Sequence, residues 1–206
     1  MRPAIRDLAF KRRGVRYHCY MVRFFVIAAL FALSSCGQHT RSAETCARSA
    51  THGVRFSNAE TDDIVTATSA GPSCAQAFVF LSIRDADGDP LWAQAGTYYD
   101  MTAGGVPLGD APQATPQQMD EFLRGWANVR TARTMSLPDW TEGAASLTES
   151  ATDGMSYDTP FVRETYRALR ERDLRMLCFA NSPESEQCLI IDPASNAPTV
   201  IVFHGA

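Results

Sequence analysis

The sequence predicts an α+β domain built on a mostly antiparallel sheet, and three features predict it. Runs rich in β-branched and aromatic residues are separated by short turn signals, two Thr-Pro steps open helical patterns, and the last three runs follow one another at meander spacing. The expectation is five to six strands, two helices packed on one face, and a flexible tether in front. The 171 residues from position 36 onward are enough for one sizeable core.

The elements are read in chain order. Residues 36–60 are small and polar without strand or helix periodicity, so they read as the tether, and 61–206 as a single domain. Residues 64–69 predict a strand, closed by the breaker Gly71-Pro72. Residues 76–84 predict a second one, apolar on both faces and therefore expected to be covered on both sides. Asp87-Gly88 suits a hairpin turn with positive φ, and 91–98 returns as the partner strand. Residues 101–114 are rich in Gly and Pro and read as loop.

Thr115-Pro116 opens a helix, with Thr as cap, Pro in the first position and Gln118 at capping-box spacing. Met119, Phe122, Leu123 and Trp126 form its apolar stripe, and it is expected to end near Arg130. Residues 131–158 carry no readable period beyond a turn at Leu137-Pro138-Asp139. A second helix is expected from Thr159-Pro160 to about Arg172 by the same capping logic, then strands over 174–180, 187–192 and 198–204.

The leader gives the most specific signal. Residues 1–35 hold seven Lys/Arg against one acid, and Met21 offers a second start. Ten apolar residues, Phe24 to Leu33, follow; a bilayer-spanning helix needs about 20, whereas a secretory signal core needs about 7–15. Residues 1–35 therefore read as a signal peptide. Its end, Leu33-Ser34-Ser35-Cys36, resembles the lipobox of bacterial lipoproteins: an aliphatic residue, two small residues and a Cys at a fixed distance from an apolar run. The resemblance implies a thioether-linked diacylglycerol on Cys36, cleavage before it, and acylation of the new amino group. It also implies a periplasm-facing domain held to a membrane, with Gly37 after the Cys favouring the outer one. Several acyl chains hold stably where one holds marginally.

Charge and cysteines bound the rest. Removing the leader's residues from the 19 basic and 23 acidic ones of the chain leaves 12 and 22, a formal charge of −10. Nucleic acid is therefore not an expected partner. No Lys follows Lys11, which excludes Schiff-base, Ser-Lys and P-loop chemistry. Four cysteines remain beside Cys36, with three possible pairings. Cys178 and Cys188 face each other if the two strands around them form a hairpin, which leaves Cys46 with Cys74 by elimination.

No catalytic motif stands out. Asp85, Asp87 and Asp89 resemble a calcium loop but lack Gly at the sixth and Glu at the twelfth position. The chain has no Cys-x-x-Cys and scattered histidines, so neither metal nor other cofactor is expected. Asp139 and Glu142 are a chance-level pair for glycoside chemistry, and His204 is the best single candidate base. Tyr98 and Tyr99, before the Gly-rich loop, form the candidate ligand surface, since alternation turns one of them away from the core. The reading leans to a non-enzymatic binding or structural module taking an envelope protein, a peptide or a cell-wall component. The rival is a periplasmic hydrolase with a dispersed active site.

Overall fold

The computed structural model describes residues 45–103 and 114–205. They fold as α+β with nine strands in two antiparallel sheets, where one sheet of five to six strands was expected. The first sheet has the order β1 (Arg48–Val54), β2 (Asp63–Ala70), β3 (Phe78–Arg84), β4 (Pro90–Thr97). The second combines β5 (Arg130–Arg133), β6 (Ser156–Asp158), β7 (Arg175–Ala180), β8 (Ser185–Asp192) and β9 (Ala197–Gly205) in the order β5-β7-β8-β9-β6. Three helices complete it: α1 (Tyr98–Thr102), α2 (Pro116–Ala127) and α3 (Arg163–Glu171).

Period-two alternation decides which side of the first sheet is core. Val79, Leu81 and Ile83 of β3 are fully buried, together with Val65 and Ala67 of β2. Phe78 and Phe80 point the other way and are 50% and 38% exposed, so β3 is covered on one face only. The inner face packs with Met119, Leu123 and Trp126 of α2 and with Leu177, Phe179 and Leu189 of the second sheet. A partly buried amide chain joins the two sheets: Gln187 donates to Gln94 at 2.6 Å, and Gln94 to Asn181 at 3.2 Å.

The second sheet is covered on both faces. Its other side buries Met176, Cys178, Cys188, Ile190 and Val202 beneath Tyr166 and Leu169 of α3 and Leu137 and Leu147 of the preceding segment. The two longer helices thus serve different clusters rather than one face of one sheet. Thr134 supports the end of α3: its one hydroxyl hydrogen is shared between the carbonyls of Leu169 (3.2 Å) and Arg170 (3.0 Å), the latter also accepting the Asp173 N–H.

Local signals held where they were self-contained. Thr115 and Gln118 form the capping box, and Gly88 takes φ +89° in the turn, where Gly88 N–H reaches the Asp85 carbonyl at 3.0 Å. Cys46–Cys74 and Cys178–Cys188 are both disulfides. Three expectations are corrected. Residues 48–54, assigned to the tether, form the edge strand β1, paired with β2 along its whole length. The helix expected from Thr159 begins at Arg163, because the Thr159 hydroxyl donates to the Ile201 carbonyl of β9 at 2.7 Å. Tyr98 and Tyr99 lie on α1, since Thr97 and Asp100 close a capping box that ends β4.

Asp63 is the most demanding buried polar residue. Its carboxylate is fully buried and accepts from the backbone of Phe56 (2.9 Å) and Ser57 (2.7 Å) and from the Ser57 hydroxyl. It thereby ties the loop after β1 to the start of β2. Asp63→Ala strands buried donors, each costing about 1–3 kcal/mol. Denaturant unfolding of this variant is expected to show a loss of roughly 2–4 kcal/mol; a change within experimental error contradicts the assignment.

Candidate functional site: a polar strip beside an aromatic groove

Register builds the site. Pairing sets Ala180, Glu186, His204 and Tyr157 in one row across β7, β8, β9 and β6. Arg130 on β5 stands opposite Cys178, two pairs along. Side chains two apart share a face, so Glu186 and His204 project on the same side as the Cys178–Cys188 bridge. Burial by the segment around α3 reaches the bridge, while Glu186 two pairs further remains half-exposed.

Arg130 organises the strip. Its Nη2 donates to Glu186 Oε2 at 2.8 Å and lies 3.4 Å from His204 Nε2. The same nitrogen lies 3.4 Å from Glu186 Oε2, so bare it accepts from Arg130 and protonated it donates to Glu186. Burial pushes the His204 pKa below its ordinary value of 6.5, against the opposing pull of Glu186. At neutral pH the ring is therefore uncharged, with its Nε2 between the Arg130 guanidinium and the Glu186 carboxylate. Tyr157 stacks on it with centroids 5.6 Å apart. Burial and the hydrogen bond to Asp153 (2.6 Å) push the Tyr157 hydroxyl up to about 12, and the same bond holds the Asp153 carboxyl below its usual range.

The bridge sulfurs and a His204 ring nitrogen lie within 4.8 Å of one another. With the sulfurs joined to each other they offer no thiolate for a metal.

A groove of about 340 Å³ adjoins the strip and shares Arg130 and Glu186 with it. Phe122, Gly125 and Trp126 of α2 form one wall, Phe179 and Ala180 of β7 the other. The wall is held stiffly. Tyr98, Phe122 and Trp126 form an aromatic ladder with centroids 5.3 and 5.5 Å apart, and the Trp126 indole donates to the Ala180 carbonyl at 3.0 Å. An apolar side chain fits such a slot, and the charged pair at its rim suits polar groups beside it.

The residues singled out by sequence are scattered. Cys36 lies outside the described residues, as do positions 104–109 of the loop placed beside Tyr98 and Tyr99. Tyr98 is buried behind Phe122, so it supports the groove rather than lining a surface, and Tyr99 is half-buried. Asp139 pairs with Arg167 at 3.6 Å, while Glu142 stands exposed. The Asp85 carboxylate accepts the amides of Asp87 and Asp89, which accounts for the aspartate cluster as a turn. His204 alone belongs to the strip. Arg130, Glu186, Tyr157 and Asp153 were missed; Glu186 could have been found, because it sits two residues from Cys188 on the same strand face.

Because the folded state favours neutral His204, the unfolded chain binds more protons below its ordinary value. The contribution is present above 6.5 and lost as pH falls. The unfolding midpoint is expected to drop as pH falls below 6.5, with a smaller slope in His204→Gln; an unchanged slope in the variant contradicts the assignment. Comparison with known proteins returns no match: no family model, no curated protein and no solved structure matches the chain.

Proposed function

We propose that this chain is a bacterial envelope lipoprotein, anchored through Cys36 and facing the periplasm, whose domain binds a partner in the α2–β7 groove. The observation that carries the binding reading is the groove itself: a stiff aromatic wall, an opposing strand and one Arg–Glu pair at the rim. The partner chemistry that fits is an apolar side chain of an envelope peptide or protein with polar groups on either side. Support for the anchor comes from the motif ending at Cys36, and two disulfides suit an oxidising compartment. The family's sorting pattern favours the outer membrane.

The hydrolase reading rests on His204. A base of that kind needs a hydroxyl or thiol within reach. The Nε2 of His204 is flanked by Arg130 and Glu186, and the nearby sulfurs are oxidised to each other.

One two-armed experiment tests the proposal. Cys36→Ser is expected to abolish fatty-acyl labelling of the chain; retained label contradicts the anchor. Gly125→Trp should fill the groove, since a side chain there meets nothing within 4 Å. It is expected to lower crosslinking to the envelope partner while acyl labelling stays intact. Undiminished crosslinking contradicts the groove.

A further inference from the structure

Two sheet edges border one cleft. β1 is an outer strand of the first sheet and β5 an outer strand of the second. A cleft of about 620 Å³ opens between the end of β1 (53–55) and β5 (131–133), with Asp62 and Arg175 in its lining. Its charge runs against that of the chain, which is −10 after residue 35. Arg55, Arg133 and Arg175 line it against one acid, Asp62. Asp62 pairs with Arg55 at 3.3 Å, and Asp173, just outside, pairs with Arg133 at 2.9 Å. Arg175 has no carboxylate within ion-pair distance among the described residues. Its Nη1 donates to the carbonyls of Arg55 (3.1 Å) and Asn58 (2.7 Å). That fixes the guanidinium and leaves its Nε and Nη2 without a partner among the described residues. Arg133 and Arg175 also stand directly opposite each other across β5 and β7, where two like charges oppose pairing.

The backbone of β5 supplies the second half of the site. Antiparallel strands alternate between residue pairs that exchange hydrogen bonds and pairs that do not. The Thr134 N–H donates to the Leu174 carbonyl at 2.9 Å, one step beyond the Arg133–Arg175 pair. Arg133 and Thr131 therefore fall in the pairs that exchange none, and their N–H and C=O groups point away from β7. The Arg133 carbonyl accepts the Ser136 hydroxyl at 2.7 Å. The Arg133 N–H and both groups of Thr131 have no partner among the described residues. Free groups two residues apart on an edge are what an added strand pairs with. In antiparallel addition, the incoming residue opposite Arg133 shares the face of Arg133 and Arg175. Charged side chains on an edge turn other strands away. These are of one sign, so they turn away cationic segments and admit an anionic one.

We propose that the free edge of β5 takes an extended segment of a partner chain, antiparallel, with an Asp or Glu opposite Arg133. Thr131 donates and accepts one backbone bond each, and the Arg133 N–H donates a third. The acidic side chain enters the cleft and takes the open side of the Arg175 guanidinium, which two carbonyls already hold in place. The carboxylate also relieves the repulsion between the opposed arginines. This site stands apart from the α2–β7 groove and depends on neither the groove nor the anchor.

The test titrates the isotope-labelled full chain, purified from cells in detergent, with two end-blocked pentapeptides: Thr-Glu-Thr-Val-Thr and its Gln counterpart. Amide resonances are followed by NMR. The Glu peptide is expected to shift the amides of Thr131 and Arg133 and to bind about tenfold more tightly than the Gln peptide, a margin that shrinks as salt is added. Arg175→Gln is expected to remove that margin. Thr131→Pro deletes an N–H that faces away from β7 and is expected to abolish binding with the β5–β7 ladder intact. Amide dispersion away from the cleft reports whether each variant is folded. If Arg175→Gln is not, Arg175→Lys keeps the charge without the planar fork and is expected to weaken the Glu peptide severalfold. Equal affinity for the two peptides, or undiminished Glu-peptide affinity in a folded Thr131 or Arg175 variant, overturns the proposal. So does the absence of shifts at millimolar peptide. Shifts confined to Phe122 and Trp126 assign the peptide to the groove and overturn it as well.

Discussion

Strands β7 and β8 have no free face. Leu177, Phe179 and Leu189 point toward the first sheet and α2; Met176, Cys178, Cys188 and Ile190 point toward α3. Everything else is arranged to cover these two strands. The Cys178–Cys188 bridge, 10 residues apart, closes their hairpin, a contribution of roughly 2–3 kcal/mol in the chain-entropy picture. The second bridge, whose ends are 28 residues apart, holds the start of β1 to the segment after β2 and contributes roughly 3–4 kcal/mol on the same basis.

The candidate site follows from where that cover stops. Even spacing puts Glu186 and His204 on the same face as the bridge, two pairs beyond the part buried under α3. A half-buried histidine there needs polar partners for its ring, and Arg130 reaches its Nε2 from the far edge strand, beside Glu186. The same guanidinium holds Glu186 at the rim of the groove. One arginine thus couples the polar strip to the aromatic slot, and the slot owes its stiffness to Trp126 being tied to β7.

Much of this was legible where a residue's role depends on its near neighbours. The Thr115–Gln118 capping box, the Asp-Gly turn, the strand around Leu81 and the Cys178–Cys188 hairpin are all of that kind. β1 was not legible, because Arg-Ser-Ala-Thr-His-Gly-Val has no apolar alternation; its place comes from pairing with β2 and from the adjacent disulfide. β5 and β6 span four and three residues, too short for any period to register. The division into two sheets was hidden because alternation fixes which way a side chain points and not which strand lies alongside. Phe78 and Phe80 misled for the same reason: apolar side chains on both faces of a strand suggest double burial, and here one face is open. At the site, His204 was visible while Arg130 and Tyr157 were not, since they meet it only through the fold.

Native-state hydrogen exchange tests the primacy of β7 and β8 most directly. If cover on both faces is what the domain is built on, the paired amides of Leu177–Phe179 and Gln187–Leu189 exchange only on global unfolding, at the slowest rates in the chain. Those of β1 and β6, at the sheet edges, open at lower free energy. Exchange in β7 and β8 as fast as in β6 would contradict the account.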